Sequence, residues 1–158
     1  MAAREAIAVR VGDRATRRVT FDAEGIRHFA ELCGDHNPLH HDARAAAAGP
    51  FGALIASGPH VVALMMGLDA TFLSKERVAL GLGFDFRFVK AVPAGTTLTL
   101  EWTVSNIEYK PSLAGDIVSV EGRAIDDEGV VYVSGAGRNL LRPGTIPDPP
   151  SPILNSRS

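Results

Sequence analysis

The chain has 158 residues and a formal net charge of −2, with 46% apolar and 22% charged residues. That length suits a single core, and the apolar share fits a water-soluble globular class rather than a disordered or fibrous one. The near balance of charge excludes a general attraction to nucleic acid or to an anionic membrane surface, so neither is expected as a partner.

The first residues, Met1 to Glu5, lack the apolar run of a secretory signal. Residues 6–20 alternate loosely, which predicts an opening strand. Asp22 precedes Ile26, Phe29, Ala30 and Leu32, which recur at helical spacing. They predict a helix over 22–33 with Asp22 near its N-cap and Gly34 as its stop. Cys33 is the single cysteine, so no intrachain disulfide forms. With the signal-free start it points to a reducing, cytoplasmic setting, and its side chain is expected to be buried rather than reactive. Asp35-His36-Asn37-Pro38 predicts a turn, because Asn before Pro is pushed out of the helical region. Asp42 caps a short helix over 43–48, ended by Gly49 and Pro50.

Ser57-Gly58-Pro59 opens a third helix, with Ser57 at the N-cap and Pro59 in the first turn. From Val61 to Phe72 this helix is apolar nearly all round, which predicts burial. Its longest apolar run, Val61 to Leu68, is far short of the ~20 residues that span a bilayer. From residue 78 the period becomes two. Phe84, Phe86 and Phe88 alternate with Asp85 and Arg87, which places the three rings on the inner face of a strand. Leu98, Leu100, Trp102 and Val104 alternate with Thr97, Thr99, Glu101 and Thr103. Residues 116–125 and 130–141 form a hairpin about Asp126-Asp127-Glu128-Gly129. The domain is read as residues 1–142. The proline-rich stretch 143–158 is read as a flexible or surface-draped tail. Strands gathered after the helices argue for the α+β class, an antiparallel sheet packed on one buried helix.

The chemistry concentrates in Phe29-Ala-Glu-Leu-Cys-Gly-Asp35-His-Asn37-Pro38-Leu-His40. Asp35 and His40 stand five residues apart across a turn, which bends both toward one point. A carboxyl group and an imidazole converging on one water form an acid/base pair. Asn37 and Pro38 fix the turn by side-chain hydrogen bonding and a locked φ. Adding water to a conjugated thioester also needs a donor for the thioester oxygen, which gathers enolate charge. A helix N-terminus supplies unpaired N–H groups. Gly58, without a side chain, lets such an oxygen come close to its amide.

This stretch resembles the hydratase-2 motif of the MaoC-like dehydratases, the R-specific enoyl-CoA hydratases. Phe29, Leu32, Cys33, Gly34, Asp35, Asn37, Pro38, Leu39, His40 and Ala46 fill every motif position. The likeness runs on through Phe51-Gly52, Ser57-Gly58, Phe86-Arg87-Phe88 and Val92-Pro93-Ala94-Gly95, covering roughly residues 10–142. The resemblance implies the hot-dog fold, a sheet wrapped round a central helix. It implies a homodimer or higher homo-oligomer that adds water reversibly to a trans-2-enoyl thioester of CoA or a carrier protein, giving the (3R)-3-hydroxyacyl form, with no cofactor. Asp35 and His40 match the family's catalytic pair, and the Gly58 amide matches its oxyanion donor. Two positions depart from the pattern: Ser57 stands where many members have His, and Leu64-Met65-Met66 stands where some place Ser or Thr. Both lie close to the acyl chain, so Ser57 and Met66, with Asn37 of the turn, are assigned to substrate binding.

Other readings weigh against these. His36, His40, His41 and Asp42 are close in sequence, but no distant Cys or His pair completes a metal set, so no metal is expected. His36 and His41 are read as flanking residues, and His60 is given no role. A hot-dog thioesterase would draw its carboxylate from the central helix, where Asp69 is the only acid well inside. A non-catalytic or partner-dependent acyl-thioester-binding subunit would share the fold without the chemistry.

Overall fold

The computed structural model describes residues 9–75 and 77–144. Strand β1 (Arg14–Phe21) leads into helix α1 (Ala23–Cys33). Asp22 caps α1 as its spacing predicts, its carboxyl oxygen accepting the Gly25 N–H at 2.7 Å. Gly34 ends the helix at φ 69°, a left-handed conformation that favours glycine. Ile26 and Ala30 turn inward from α1, whereas Cys33 is exposed, against expectation. Cys33 continues the spacing of 26 and 30, but as the last residue of α1 it stands clear of the core.

A 3-10 turn at Pro38–His40 precedes α2 (Ala43–Ala48), which Asp42 caps through Arg44 and Ala45. Helix α3 follows (Gly58–Leu73), then β2 (Val78–Phe88), β3 (Thr96–Lys110), β4 (Gly115–Ile125) and β5 (Val131–Arg142). The five strands form one antiparallel sheet in the order β1-β3-β4-β5-β2. The sheet wraps α3, which packs against β1, β2 and β3. This is the hot-dog fold. Asp126 organises the β4–β5 hairpin, its carboxyl oxygen accepting from Glu128 and Val130.

The core lies between α3 and the inner face of the sheet. Leu98, Leu100, Trp102 and Val104 of β3 and Val118 and Val120 of β4 are fully buried there. The Trp102 indole N–H donates to the Met65 carbonyl at 2.7 Å, tying β3 to α3. The helix is less enclosed than its composition predicts. Val61, Met65, Asp69 and Leu73 form its buried stripe, while Ala63, Met66, Gly67 and Ala70 face outward. A cylinder on a one-sided sheet buries only the stripe that meets the sheet. Phe84 and Phe86 point inward beside Trp102 as expected, but Phe88 at the strand end is 59% exposed. No helix among the described residues is long and apolar enough to cross a membrane.

Candidate active site

The site is built on the nine residues between α1 and α2, 34–42. Gly34 turns the chain, and the Asp35 N–H closes back on the Ala30 carbonyl at 2.9 Å. One Asp35 carboxyl oxygen accepts the Asn37 N–H at 3.0 Å. The Asn37 side-chain oxygen then accepts the Leu39 N–H at 3.1 Å, capping the 3-10 turn that Pro38 opens. Two short polar side chains bonding their own backbone thus lock the bend. Asn37 itself is exposed.

This bend brings Asp35 and His40 together. The second Asp35 carboxyl oxygen lies 3.5 Å from His40 Nε2. His40 is only 7% exposed, while Asp35 is half-buried. On its other edge, His40 Nδ1 lies 2.8 Å from the Ile55 carbonyl oxygen. A carbonyl only accepts, so Nδ1 carries the hydrogen. The neutral ring therefore keeps its lone pair on Nε2, toward Asp35. A separation of 3.5 Å exceeds a direct hydrogen bond, so a shared third group rather than a tight ion pair fits this spacing.

The same segment sets the third component. The Ile55 N–H donates to the Leu39 carbonyl at 3.1 Å, so residues 55–58 run along this turn into α3. Gly58 is the first residue of α3, and its amide has no acceptor within the helix. A Cβ there would stand 2.8 Å from the Phe88 ring, so only glycine fits beneath that ring. Gly58, Phe51, Phe88 and Lys90 line a cleft of about 460 Å³. Asp35 and His40 are not among its lining residues; the Ile55–Gly58 segment joins them to it.

The remaining expectations divide. Ser57 holds the N-cap position of α3 but makes no capping bond; it is 3% exposed, and its hydroxyl has no partner. Met66 lies on the outward face of α3, about 12 Å along the axis from Gly58. Asp69, on which a thioesterase reading would depend, is 1% exposed and sealed in the core. Burial pushes its pKa up to about 6, against a smaller lowering influence of the Asn139 side chain. His60 stacks on Phe29 at 4.5 Å and meets Phe21 edge-on at 5.2 Å, fastening α1 to α3. Burial lowers its pKa, and Asp22 opposes that in part. Among the described residues, no three or more His, Cys, Asp or Glu converge as a metal set. Two participants carry no sequence signal. Phe88 reads as an inner-face residue like its neighbours, and His41 reads as a flank, yet its ring bonds the Asp35 backbone.

The family comparison decides what this arrangement belongs to. The MaoC like domain pattern matches residues 5–124. The chain belongs to the MaoC-like family. A relative from Mycobacterium tuberculosis, "3-hydroxyacyl-thioester dehydratase Z", is 33% identical over 127 residues, spanning 78% of this chain and 83% of that protein. This MaoC-like chain also superimposes on the R-hydratase PhaJ1 of Pseudomonas aeruginosa with a TM-score of 0.75. The two are 28% identical over 86% of this chain and 84% of the other. The (R)-hydratase of A. caviae, involved in PHA biosynthesis, gives a TM-score of 0.77 and 27% identity, covering 88% of this chain and all of its own.

Proposed function

We propose that this MaoC-like chain is a hydro-lyase that adds water reversibly to a trans-2-enoyl thioester, giving the (3R)-3-hydroxyacyl form. Asp35 and His40 move the protons: one takes a proton from the water that attacks C3, and the pair delivers one to C2. The Gly58 amide stabilises the thioester oxygen as it gathers charge, helped by the positive end of α3. One observation carries the reading. His40 is anchored through Nδ1 to Ile55, which leaves Nε2 facing the Asp35 carboxyl at 3.5 Å beside a helix N-terminus. Relatives named as a 3-hydroxyacyl-thioester dehydratase and as R-hydratases support the same reaction.

The acyl group is carried by CoA or a carrier protein, and the working form is a homodimer or a higher homo-oligomer in the cytoplasm. Asn37, Ser57 and Met66 belong to the substrate side. The unpartnered Ser57 hydroxyl next to Gly58 offers a hydrogen bond to the thioester end, and Met66 offers apolar contact to the acyl end.

The test is hydration of crotonyl-CoA, followed by loss of the enoyl absorbance and by chiral analysis of the product. Asp35→Asn and His40→Gln are each expected to lower kcat at least ~100-fold, as loss of a proton-transferring group does. Their melting temperatures should stay close to wild type. Full activity in both variants, or an (S) product, would refute the assignment. Acyl-CoA binding without turnover by the wild-type protein would favour a binding subunit instead.

A further inference from the structure

His41 fills no position of the motif, yet its ring holds the backbone of Asp35. Its Nε2 donates to the Asp35 carbonyl oxygen, six residues back along the chain. His41 is itself fixed on both sides of its backbone. Its N–H donates to the Pro38 carbonyl at 3.1 Å, and its carbonyl accepts the Arg27 Nε–H from α1 at 3.1 Å. Adjacent imidazoles thus grip the turn in opposite senses. The His40 ring reaches forward to Ile55, and the His41 ring reaches back to Asp35.

We propose that His41 is a positioning residue whose ring closes the catalytic turn and fixes the direction of the Asp35 carboxyl. The inference rests on the reading of Asp35 as a proton-transferring group. Asp35 sits just past the left-handed Gly34, where the chain leaves helical geometry. The Ala30 carbonyl holds its N–H, but the peptide plane that follows it has the His41 ring as its restraint. That plane carries the Asp35 carbonyl. It also sets the approach of the Asn37 N–H to the Asp35 carboxyl oxygen. If the plane turns, the second carboxyl oxygen swings away from His40 Nε2. Displacing a reacting group by about 1 Å is enough to cost ~100-fold in rate. A carbonyl acceptor also fixes the chemistry of the clasp, because neutral His41 must carry its hydrogen on Nε2.

Side-chain geometry supplies the control. A glutamine amide nitrogen reaches roughly as far as the Nε2 of histidine, and an asparagine amide stops at the Nδ1 position. His41→Ala and His41→Asn are therefore expected to lower kcat for crotonyl-CoA hydration between ~10-fold and ~100-fold. KM should stay within about twofold. His41→Gln should recover most of the rate. Amide exchange reads the clasp without turnover. The Asn37 N–H should exchange at least ~10-fold faster in His41→Ala than in wild type or His41→Gln, because its partner on Asp35 is no longer held. Wild-type kcat in His41→Ala, or equal impairment in His41→Gln and His41→Ala, would overturn the inference. So would unchanged exchange at Asn37. An Asp35→Asn variant that hydrates at the wild-type rate would instead overturn the assigned role of Asp35 and the catalytic half of this inference, leaving the exchange rates to decide the clasp.

Discussion

Asp69 is the one acid in the buried stripe of α3, and its placement has a measurable consequence. Desolvation lifts its pKa from the ordinary 3.8 to about 6. Between those two values the folded chain holds more protons than the unfolded chain. Stability therefore falls as pH rises from about 4 to about 6 and levels off above that. The full cost at neutral pH is on the order of 3 kcal/mol. Asp69→Asn keeps the shape and removes the ionisation. The variant should melt several degrees above wild type at pH 8, and the gain should vanish near pH 4. Melting curves at the two pH values check this, and an equal gain at both would show that ionisation is not the cause. At this scale the local chemistry was legible. Asp22, Gly34, Asn37 and Asp42 cap or turn where their spacing places them, since each bonds a backbone group within a few residues. Asp35 and His40 meet for the same reason. Cys33 and Phe88 depart from expectation because their surroundings depend on contacts that no local pattern records.

The strands show where legibility ends. Period-two alternation located β2 to β5 to within a few residues, and Gly129 marked the hairpin. Which residues face each other between non-consecutive strands was not readable, because partners in β1–β3 and β2–β5 lie 45 to 89 positions apart. The register reveals a repeated device. Trp102 faces Gly122, Phe86 faces Gly135, and Phe84 faces Gly137. Each ring lies over the glycine opposite it, where a Cβ would come within 2.4–2.7 Å of ring carbons. Strand glycines ordinarily weaken a sheet, but here they make room for three large rings against α3. Gly137→Ala should therefore destabilise by about 1–3 kcal/mol, the cost of overpacking a filled core. The measurement is the urea midpoint of the variant. The double variant Gly137→Ala with Phe84→Leu, which trims the opposing ring, should regain part of the loss. A Gly137→Ala protein as stable as wild type would show that the inner face is slack at this pair.

At the scale of the whole molecule, two surfaces are left incomplete together. The outward face of α3 carries Ala63, Met66, Gly67 and Ala70, with Met66 40% exposed. Strand β2 ends the sheet and pairs on one side only, with Leu80 and Leu82 exposed along it. An open edge strand beside an apolar helix face invites another chain. The all-round apolar character of α3 becomes intelligible on the same terms: one stripe meets its own sheet, and the other suits the helix of a second copy. The proposed homodimer supplies that cover, and the Ile55–Gly58 segment, bonded to the Asp35–His40 turn, leads into the N-terminus of this same helix. A charge on the outward stripe should then break assembly and chemistry together. Ala70→Glu, on the same outward stripe and with no part in substrate binding, is expected to shift the sedimentation mass from about twice the chain's 16.7 kDa toward that single value. Turnover per chain should fall in parallel and recover in part at high protein concentration, because assembly follows mass action. An Ala70→Glu protein that keeps the wild-type mass would place the interface elsewhere. One that becomes monomeric with unchanged turnover would show that each chain holds a complete site.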